Sequence, residues 1–276
     1  MNNAIAITPV DLSLTAILVV ILAGCSWLLH LGIGRQLIFA STRMVVQLLL
    51  VGLVLSWVFS VATWWLVIVW AVAMVAIAGY EVHARQSQRL GRRGYTIGSG
   101  AMALSSGTVA FLLLVVVIQP EPPWTPQYAI PLLGMLLGNT MNGIAIGMER
   151  LTTSMSKQKH MIESQLLLGQ SFDQAVSRLR REAMTAGLIP TINGMAIAGL
   201  VSLPGMMTGQ ILAGADPMTA VLYQILIWLG IAAGTGFGAL AAVVWTANSL
   251  SDERDRLRLD RLHAKGSRQT SRRSRA

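Results

Sequence analysis

The chain has 276 residues, of which 54% are hydrophobic and only 12% are charged, and its formal net charge is +9. Soluble globular domains carry about 25% charged residues, so this chain lacks the side chains that would solvate an ordinary protein surface. The composition therefore excludes an ordinary soluble domain and indicates a protein that lies mostly in a lipid bilayer.

Long runs without charged residues predict helices that cross the membrane, because about 20 apolar residues are needed to span its hydrocarbon core. The run from Met44 to Tyr80 is too long for one helix and must hold two. We therefore predict an all-α polytopic membrane protein with seven transmembrane helices. They lie near residues 12–32, 36–57, 60–80, 99–119, 127–148, 188–212 and 218–247.

The basic residues predict the orientation of these helices. Apart from Arg35 and Arg43, they are confined to residues 85–93, 150–181 and 254–275. With seven helices, all three segments lie on one side of the membrane, whereas six or eight helices would scatter them. Since basic loops face the cytoplasm, the N-terminus is predicted outside and the C-terminus inside.

The second helix carries an arginine within the membrane. If this helix begins near Gln36, Arg43 lies roughly 10 Å inside the span, and Gln47 follows one turn later on the same face. A charged residue at such a depth is a candidate for a translocation path. The alternative is that the Arg43 side chain reaches back to the nearby interface.

Small and amide side chains mark the fifth and seventh helices. Their glycines are four residues apart, which lets neighbouring helices approach closely within the chain or, for the seventh, across a dimer. These glycines are Gly134 with Gly138, Gly143 with Gly147, and Gly230, Gly234 and Gly238. Asn139 and Asn142 need hydrogen-bond partners in lipid, so they either join helices or line a path for a polar solute.

Residues 149–187 form the one large inner loop. Ser154–Leu168 and Ser171–Met184 are predicted helices, broken at Gly169 and Gln170. Ser171 suits the N-cap of the second helix. The apolar residues of that helix, Phe172, Ala175, Val176 and Leu179, share one face. The loop is too short to bury a core of its own, and its shape suits the docking of another protein.

The sixth predicted helix begins at Pro190 and is interrupted at Pro204 and Gly205. A broken helix leaves backbone carbonyls free, and these must face protein or a cavity. Met206, Met207, Thr208 and Gln210 follow the break directly. The thioethers of Met206 and Met207 would suit a soft metal ion, and the side-chain oxygens of Thr208 and Gln210 would suit a harder one. The alternative is that the two methionines only pack against neighbouring apolar side chains.

The chain carries no sign of its own energy source. It has no G-x-x-x-x-G-K-[ST] phosphate-binding loop, so it does not bind ATP in that way. No Asp or Glu falls within any predicted span, which argues against proton coupling. The basic tail at residues 252–276 is expected to leave the membrane as a short charged helix, to end in disorder and to contact anionic lipid rather than nucleic acid.

Several motifs identify a family. The sequence Glu163-Ser-Gln-x-x-x-Gly169 resembles the EAA-x-x-x-Gly loop of ABC-importer permeases, which seats in a groove on the ATPase, although Ser164 and Gln165 replace the two alanines. Most of residues 35–247 resembles the FetB-type permeases, which include a bacterial iron-export permease and a plant aluminium-tolerance protein. The resemblance rests on the segments STRMVVQLLLVGLVL (Ser41–Leu55), GNTMNGIAIGMERL (Gly138–Leu151) and GLVSLPGMMTGQILAGADP (Gly199–Pro217).

The resemblance implies the permease subunit of an ABC transporter in the bacterial cytoplasmic membrane, not an enzyme. Residues 1–251 would form the transmembrane domain of a homodimer that exports a metal ion such as iron. A separate ATPase would carry ATP and Mg²⁺, and this chain would bind no cofactor. The expected coupling residues are Glu163, Leu167, Gly169, Phe172 and Arg178. The expected path is lined by Arg43, Gln47, Asn139, Asn142, Asn193, Pro204, Met206, Met207, Thr208 and Gln210.

Two alternatives remain open from the sequence. The chain could be a secondary transporter or channel that works alone on a small polar solute or cation. It could also be a membrane scaffold that recruits partners through its basic loops without transporting anything.

Overall fold

The computed structural model describes residues 8–61 and 63–264 of the chain. Within these residues the helices are α1 (Pro9–Leu28), α2 (Gly34–Val61), α3 (Trp64–Arg85), α4 (Arg92–Leu112), α5 (Pro126–Lys157), α6 (Lys159–Leu167), α7 (Phe172–Ile197), α8 (Gly205–Leu212) and α9 (Pro217–Ser249). A π-helical segment (Leu113–Ile118) extends α4, and a 3-10 turn (Leu259–Arg261) follows α9. Two short strands, β1 (Gln88–Arg89) and β2 (His263–Ala264), pair antiparallel.

Six helices of the described chain are long and apolar enough to cross a membrane. They are α1, α2, α3, α4 with its π-helical extension, α5 and α9. The predicted sixth helix, 188–212, is instead divided between the end of α7 and the short α8. The predicted count of seven spanning helices is therefore not confirmed, although the predicted break near Pro204 is present.

The start of that sixth helix was predicted wrongly. Pro190 lies inside α7, which runs without interruption from Phe172 in the loop to Ile197. A proline removes one backbone hydrogen bond, and a membrane helix tolerates it when neighbouring helices hold it. Here Gly187 and Thr191, on either side of Pro190, are both buried. The second predicted loop helix and the start of the predicted sixth helix thus form one continuous helix, α7.

The bundle is built around α5. This helix packs against α3, α4, α7 and α9, and α9 also packs against α4 and α7. Glycines make the closest crossings possible. A Cβ atom placed on Gly143 would lie 2.5 Å from Thr235 Cγ2, and one on Gly187 would lie 2.6 Å from the Gly143 carbonyl oxygen. Gly238 is equally close to Thr140, so the glycine face of α9 is used within the chain.

The first two helices lie apart from this core. α1 and α2 pack mainly on each other, and their large apolar side chains are mostly exposed. Among their described residues, Ala23, Ser26 and Val58 are buried. Such an apolar surface is expected of helices that face lipid or another protein within the bilayer.

The three basic segments meet at one end of the bundle, which we call the loop end. Leu90 from the α3–α4 connection, Ile162 from α6 and Leu250 after α9 belong to one buried apolar cluster. β1 and β2 join the first of these segments to the last. This convergence matches the predicted placement of all basic segments on one side of the membrane.

The segment after α9 is not the charged helix that the sequence suggested. Residues 250–264 fold back on the bundle with one 3-10 turn and strand β2. The Asp252 carboxylate accepts hydrogen bonds from the Arg256 and Arg254 backbone N–H groups, and the first of these is the main cause that lowers its pKa to about 2. These local bonds compete with helix formation. The predicted disordered end, 265–276, lies outside the described residues.

We predict that the helix crossing at Gly143 limits the stability of the bundle. In Gly143→Ala the new methyl group meets Thr235 and the Gly187 carbonyl, an overpacking that costs about 1–3 kcal/mol. Gly138→Ala on the same helix is the matched control, because its Cβ would meet nothing within 4 Å. Thermal unfolding of both variants in detergent should give a lower Tm for G143A alone. Equal Tm values would contradict this account of the crossing.

Candidate functional site

The loop between α5 and α7 is a helical structure with defined caps. α5 extends past its predicted end to Lys157, and α6 follows after a break at Gln158. Ser171 caps α7 as expected. Its side chain accepts a hydrogen bond from the Gln174 backbone N–H, and the Gln174 side chain accepts one from the Ser171 backbone N–H. This reciprocal pair fixes the direction in which α7 leaves the loop.

The tip of the loop, residues 167–170, projects from the loop end. Leu167 and Leu168 are 89% and 82% exposed, so two adjacent apolar side chains are available for contact with another molecule. Gly169 follows with φ = +87°, a left-handed conformation that reverses the chain between α6 and α7. Side chains other than glycine adopt this conformation at a cost of about 1–2 kcal/mol. The glycine therefore sets the shape of the tip.

The other predicted coupling residues have different surroundings. Glu163 is half-exposed and lies 3.6 Å from the Lys159 ammonium group. Arg178 forms a 3.3 Å ion pair with Glu182 on the outer side of α7. Phe172 is only 3% exposed and belongs to the apolar cluster at the loop end. Phe172 thus anchors the start of α7 rather than presenting its ring at the surface.

Arg43 has an acidic partner that the sequence analysis missed. Its Nη2 atom lies 2.8 Å from Oε1 of Glu81 on α3, which continues as a helix to Arg85 beyond the predicted end at Tyr80. Glu81 thus lies just beyond the predicted span 60–80, in the part of α3 that the sequence analysis left out. A paired carboxylate is far less costly near lipid than a free one.

The end of α3 is bound to α5 by three consecutive residues. Arg85 donates to Asn142 Oδ1 at 2.7 Å, Gln86 to the Ala145 carbonyl at 3.1 Å, and Ser87 to the Glu149 carboxylate through both its backbone N–H and its hydroxyl. Asn142 therefore joins two helices. Its neighbour Asn139 donates to the Met135 carbonyl of its own helix at 2.8 Å. Both amides thus have hydrogen-bond partners within the protein, and neither requires a solute path to explain it.

The interruption between α7 and α8 lies beside α9. On one side of it, a Cβ atom on Gly194 would lie 2.6 Å from the ring of Trp228. On the other side, Met206 packs against the apolar cluster that contains Ile227 and Ile231. The break at residues 198–204 is thus held next to one short stretch of α9. Its backbone is closed by local turns, in which the Ile197 carbonyl accepts three N–H groups.

The predicted path residues are only partly brought together. Pro204, Met206, Met207, Thr208 and Gln210 lie at the break or on α8, with Asn193 exposed near the end of α7. Arg43 and Gln47 belong to α2. Within the described residues, no group of three or more His, Cys, Asp or Glu side chains could hold a metal ion.

Two residues of α9 were missed as candidates. Gln224 is 8% exposed, and its Oε1 atom has no hydrogen-bond partner in the described chain; the same is true of the Trp228 Nε1 atom. Their spacing of four residues could have indicated a shared face. The contact of Trp228 with Gly194 on α7 could not be read from the sequence.

We predict that the Arg43–Glu81 pair is needed for correct insertion or folding. Arg43→Ala and Glu81→Ala each leave an unpaired charge beside lipid, so each should lower the yield of monodisperse protein. The exchanged pair, Arg43→Glu with Glu81→Arg, should recover much of that yield. Size-exclusion chromatography of a fluorescent fusion measures it, with Arg35→Ala at the exposed start of α2 as the control. A double variant no better than either single one would contradict the pairing.

Comparison with known proteins places the chain in a family. A family model described as "Uncharacterised protein family (UPF0014)" matches residues 9–250. "UPF0014 membrane protein slr1647" of Synechocystis sp. is 42% identical over 201 residues, which are 71% of this chain and 76% of that protein. "Protein ALUMINUM SENSITIVE 3" of Arabidopsis thaliana is 33% identical over 213 residues, 77% of this chain and 76% of that protein.

"Probable iron export permease protein FetB" of Escherichia coli is 29% identical over 272 residues, which are 95% of this chain and 100% of that protein. No solved structure matches the chain. The resemblance to FetB-type permeases in the sequence motifs is thus confirmed. Because the family model covers nearly the whole chain, the protein belongs to the UPF0014 family of membrane proteins.

Proposed function

We propose that this chain is the membrane-spanning permease subunit of an ABC transporter and that a separate cytoplasmic ATPase docks on residues 149–187. The observation that carries the proposal is the loop tip, where Leu167 and Leu168 are exposed beside the left-handed Gly169. Two adjacent exposed leucines at the polar, basic loop end of the bundle are suited to bind in an apolar groove on another protein. They lie within the segment that resembles the permease coupling loop.

The two helices that carry the tip are suited to transmit movement. α5 has 32 residues and α7 has 26, which correspond to about 48 Å and about 39 Å of continuous helix. Each reaches from the loop end into the apolar part of the bundle. A push on the tip would therefore tilt α5 and α7 and shift α8 against α9, opening the path to alternate sides of the membrane.

For the transport itself we propose a homodimer with seven membrane-crossing segments, in which α7 and α8 together form the sixth. Residues 1–251 form its membrane domain, with the loop end in the cytoplasm and the N-terminus outside. The substrate is a metal cation moved outward, by analogy with the relative named as an iron export permease. We place the path beside the break, among Asn193, Pro204 and the residues from Met206 to Gln210, and keep Met206 and Met207 as candidate contacts.

One observation favours the alternative of a secondary transporter. Glu81 is a carboxylate inside a spanning helix, a feature that proton-coupled transporters use. Its 2.8 Å pairing with Arg43 accounts for it structurally, so we rank this alternative second.

We expect the tagged chain, purified in mild detergent from its own host, to carry an ATPase subunit at about one-to-one stoichiometry and to hydrolyse ATP. The double variant Leu167→Asp, Leu168→Asp should lose that subunit and the ATPase activity, because charged tips cannot enter an apolar groove. Quantitative mass spectrometry and phosphate release measure the two effects.

The matched control is Met218→Asp, which changes another exposed apolar residue at the opposite end of the bundle. It should retain the ATPase. A wild-type chain that purifies without an ATPase, binds none when one is added back and still transports cations into vesicles would overturn the proposal and support the secondary transporter.

We also predict that Gly169 couples ATP hydrolysis to transport. No atom lies within 4 Å of a Cβ placed on Gly169, so only its φ of +87° opposes a substitution. Asparagine tolerates this conformation and valine does not. Gly169→Val should therefore lose transport per ATP hydrolysed, while Gly169→Asn retains most of it. Export assays in reconstituted vesicles test this, and full coupling in Gly169→Val would show that the tip geometry is unimportant.

A further inference from the structure

A cleft of about 950 Å³ lies between α1 and α2. Its walls are mostly apolar and are formed by residues one helical turn apart on each helix. They include Val20, Ala23, Gly24 and Trp27 of α1 with Ile38 and Phe39 of α2. The volume is near the upper end of the range for small-molecule sites, so the cleft has room for a ligand.

The cleft is held in shape by a direct contact between the two helices. A Cβ atom placed on Gly34 would lie 2.8 Å from the Ala23 carbonyl oxygen, and Ala23 is only 5% exposed. Both residues line the cleft. At the neighbouring Gly24, no atom lies within 4 Å of an added Cβ. The helices therefore touch at one point and leave open space beside it.

A basic residue lies at one end of the cleft. Arg35 lines it, together with His30 from the α1–α2 connection. The sequence has no Asp or Glu between Asp11 and Glu81, and Glu81 is already paired with Arg43. Among the residues that the structure describes, no carboxylate pairs with Arg35. The protein thus leaves this positive charge without a counter-charge.

The position of Arg35 corresponds to the level of the lipid headgroups. α2 and α3 are consecutive antiparallel helices, and Arg43 contacts Glu81 near the end of α3, which leads to the loop end. Arg35 lies two turns, or roughly 12 Å, closer to that side of the membrane. Trp27, which is 81% exposed, lies at the same end of the cleft, and tryptophan is enriched at headgroup level.

We propose that this cleft binds an anionic phospholipid, with an acyl chain against the apolar walls and the phosphate on Arg35. A guanidinium group can donate two parallel hydrogen bonds to a phosphate. Basic pockets between helices at the cytoplasmic face of a membrane bind anionic headgroups in this way. With the loop end in the cytoplasm, as proposed above, the cleft faces that leaflet. The site itself requires neither an ATPase nor a transported solute.

A second copy of the chain is the other possible occupant, and the charges disfavour it. A twofold contact through this hairpin would bring two equal surfaces together. Since residues 12–80 contain no acidic side chain, neither copy would offer a carboxylate to the Arg35 of the other. A lipid phosphate provides the charge that a second hairpin lacks.

Native mass spectrometry of the full chain tests the site. The protein is released from micelles that contain equal amounts of phosphatidylglycerol and phosphatidylcholine with the same acyl chains. The first retained lipid should be phosphatidylglycerol with a preference of about fivefold, as expected for one basic contact. Arg35→Ala should reduce this to about equal retention, whereas Arg35→Lys keeps the charge and most of the preference. Arg93→Ala, which removes an exposed arginine of α4, should retain the full preference.

A second pair of variants tests the apolar part of the cleft. Gly24→Leu fills the open space without a clash, so it should fold normally and lose most of the first retained lipid of either kind. Gly52→Leu is the matched control, because its Cβ also meets nothing within 4 Å and it lies on α2 outside the cleft. Size-exclusion chromatography checks that both proteins are monodisperse.

A wild type without lipid preference, an Arg35→Ala variant that keeps it, or equal lipid retention in Gly24→Leu and Gly52→Leu would each overturn the assignment. Cross-linking tests the second copy. Cys25 is the only cysteine, so Gly24→Cys with Cys25→Ser places one thiol in the cleft. Oxidation in native membranes should leave this variant monomeric, and a disulfide-linked dimer would show that a second copy fills the cleft instead. None of these measurements involves the ATPase, so the lipid site and the proposed ABC function can fail independently.

Discussion

The bundle depends on the close contact of α5 with α7 and α9 at Gly143. There the helix backbones approach until a single added carbon would lie 2.5 Å from Thr235 and 3.1 Å from the Gly187 carbonyl. In a bilayer, apolar side chains gain little by leaving lipid for protein, so helices associate through such close packing. The glycines therefore place α5 at the centre and bring α7 against α9.

The helices that meet at this crossing are held by different numbers of neighbours. α5 is fixed on several sides, by α9, by α4 and by the hydrogen bonds that tie residues 85–87 of the α3–α4 connection to it. α7 is held at Gly187 and Thr191 but is broken after Ile197. The short helix α8 follows this interruption and packs on α9. Trp228 of α9 lies against Gly194, just before the interruption.

The sequence by itself determined the membrane class, the positions of most spanning helices and the family. These follow from local properties: the length of charge-free runs, the clustering of arginines and motifs read along the chain. It also predicted the start and the buried face of the second loop helix correctly, although not the bounds of the loop helices. Ser171 caps α7, and Phe172, Ala175, Val176 and Leu179 are all buried on one face, because capping and amphipathic spacing act within a few residues.

Only the tertiary structure decided which residues meet. The Arg43–Glu81 pair joins positions 38 residues apart, and the contact of Trp228 with Gly194 depends on how α7 and α9 cross. The continuity of α7 through Pro190 likewise depends on its neighbours, because α5 packing offsets the local preference of proline to end a helix. Local sequence determines which helices each segment can form, whereas contacts between distant segments determine which polar groups pair across the bundle.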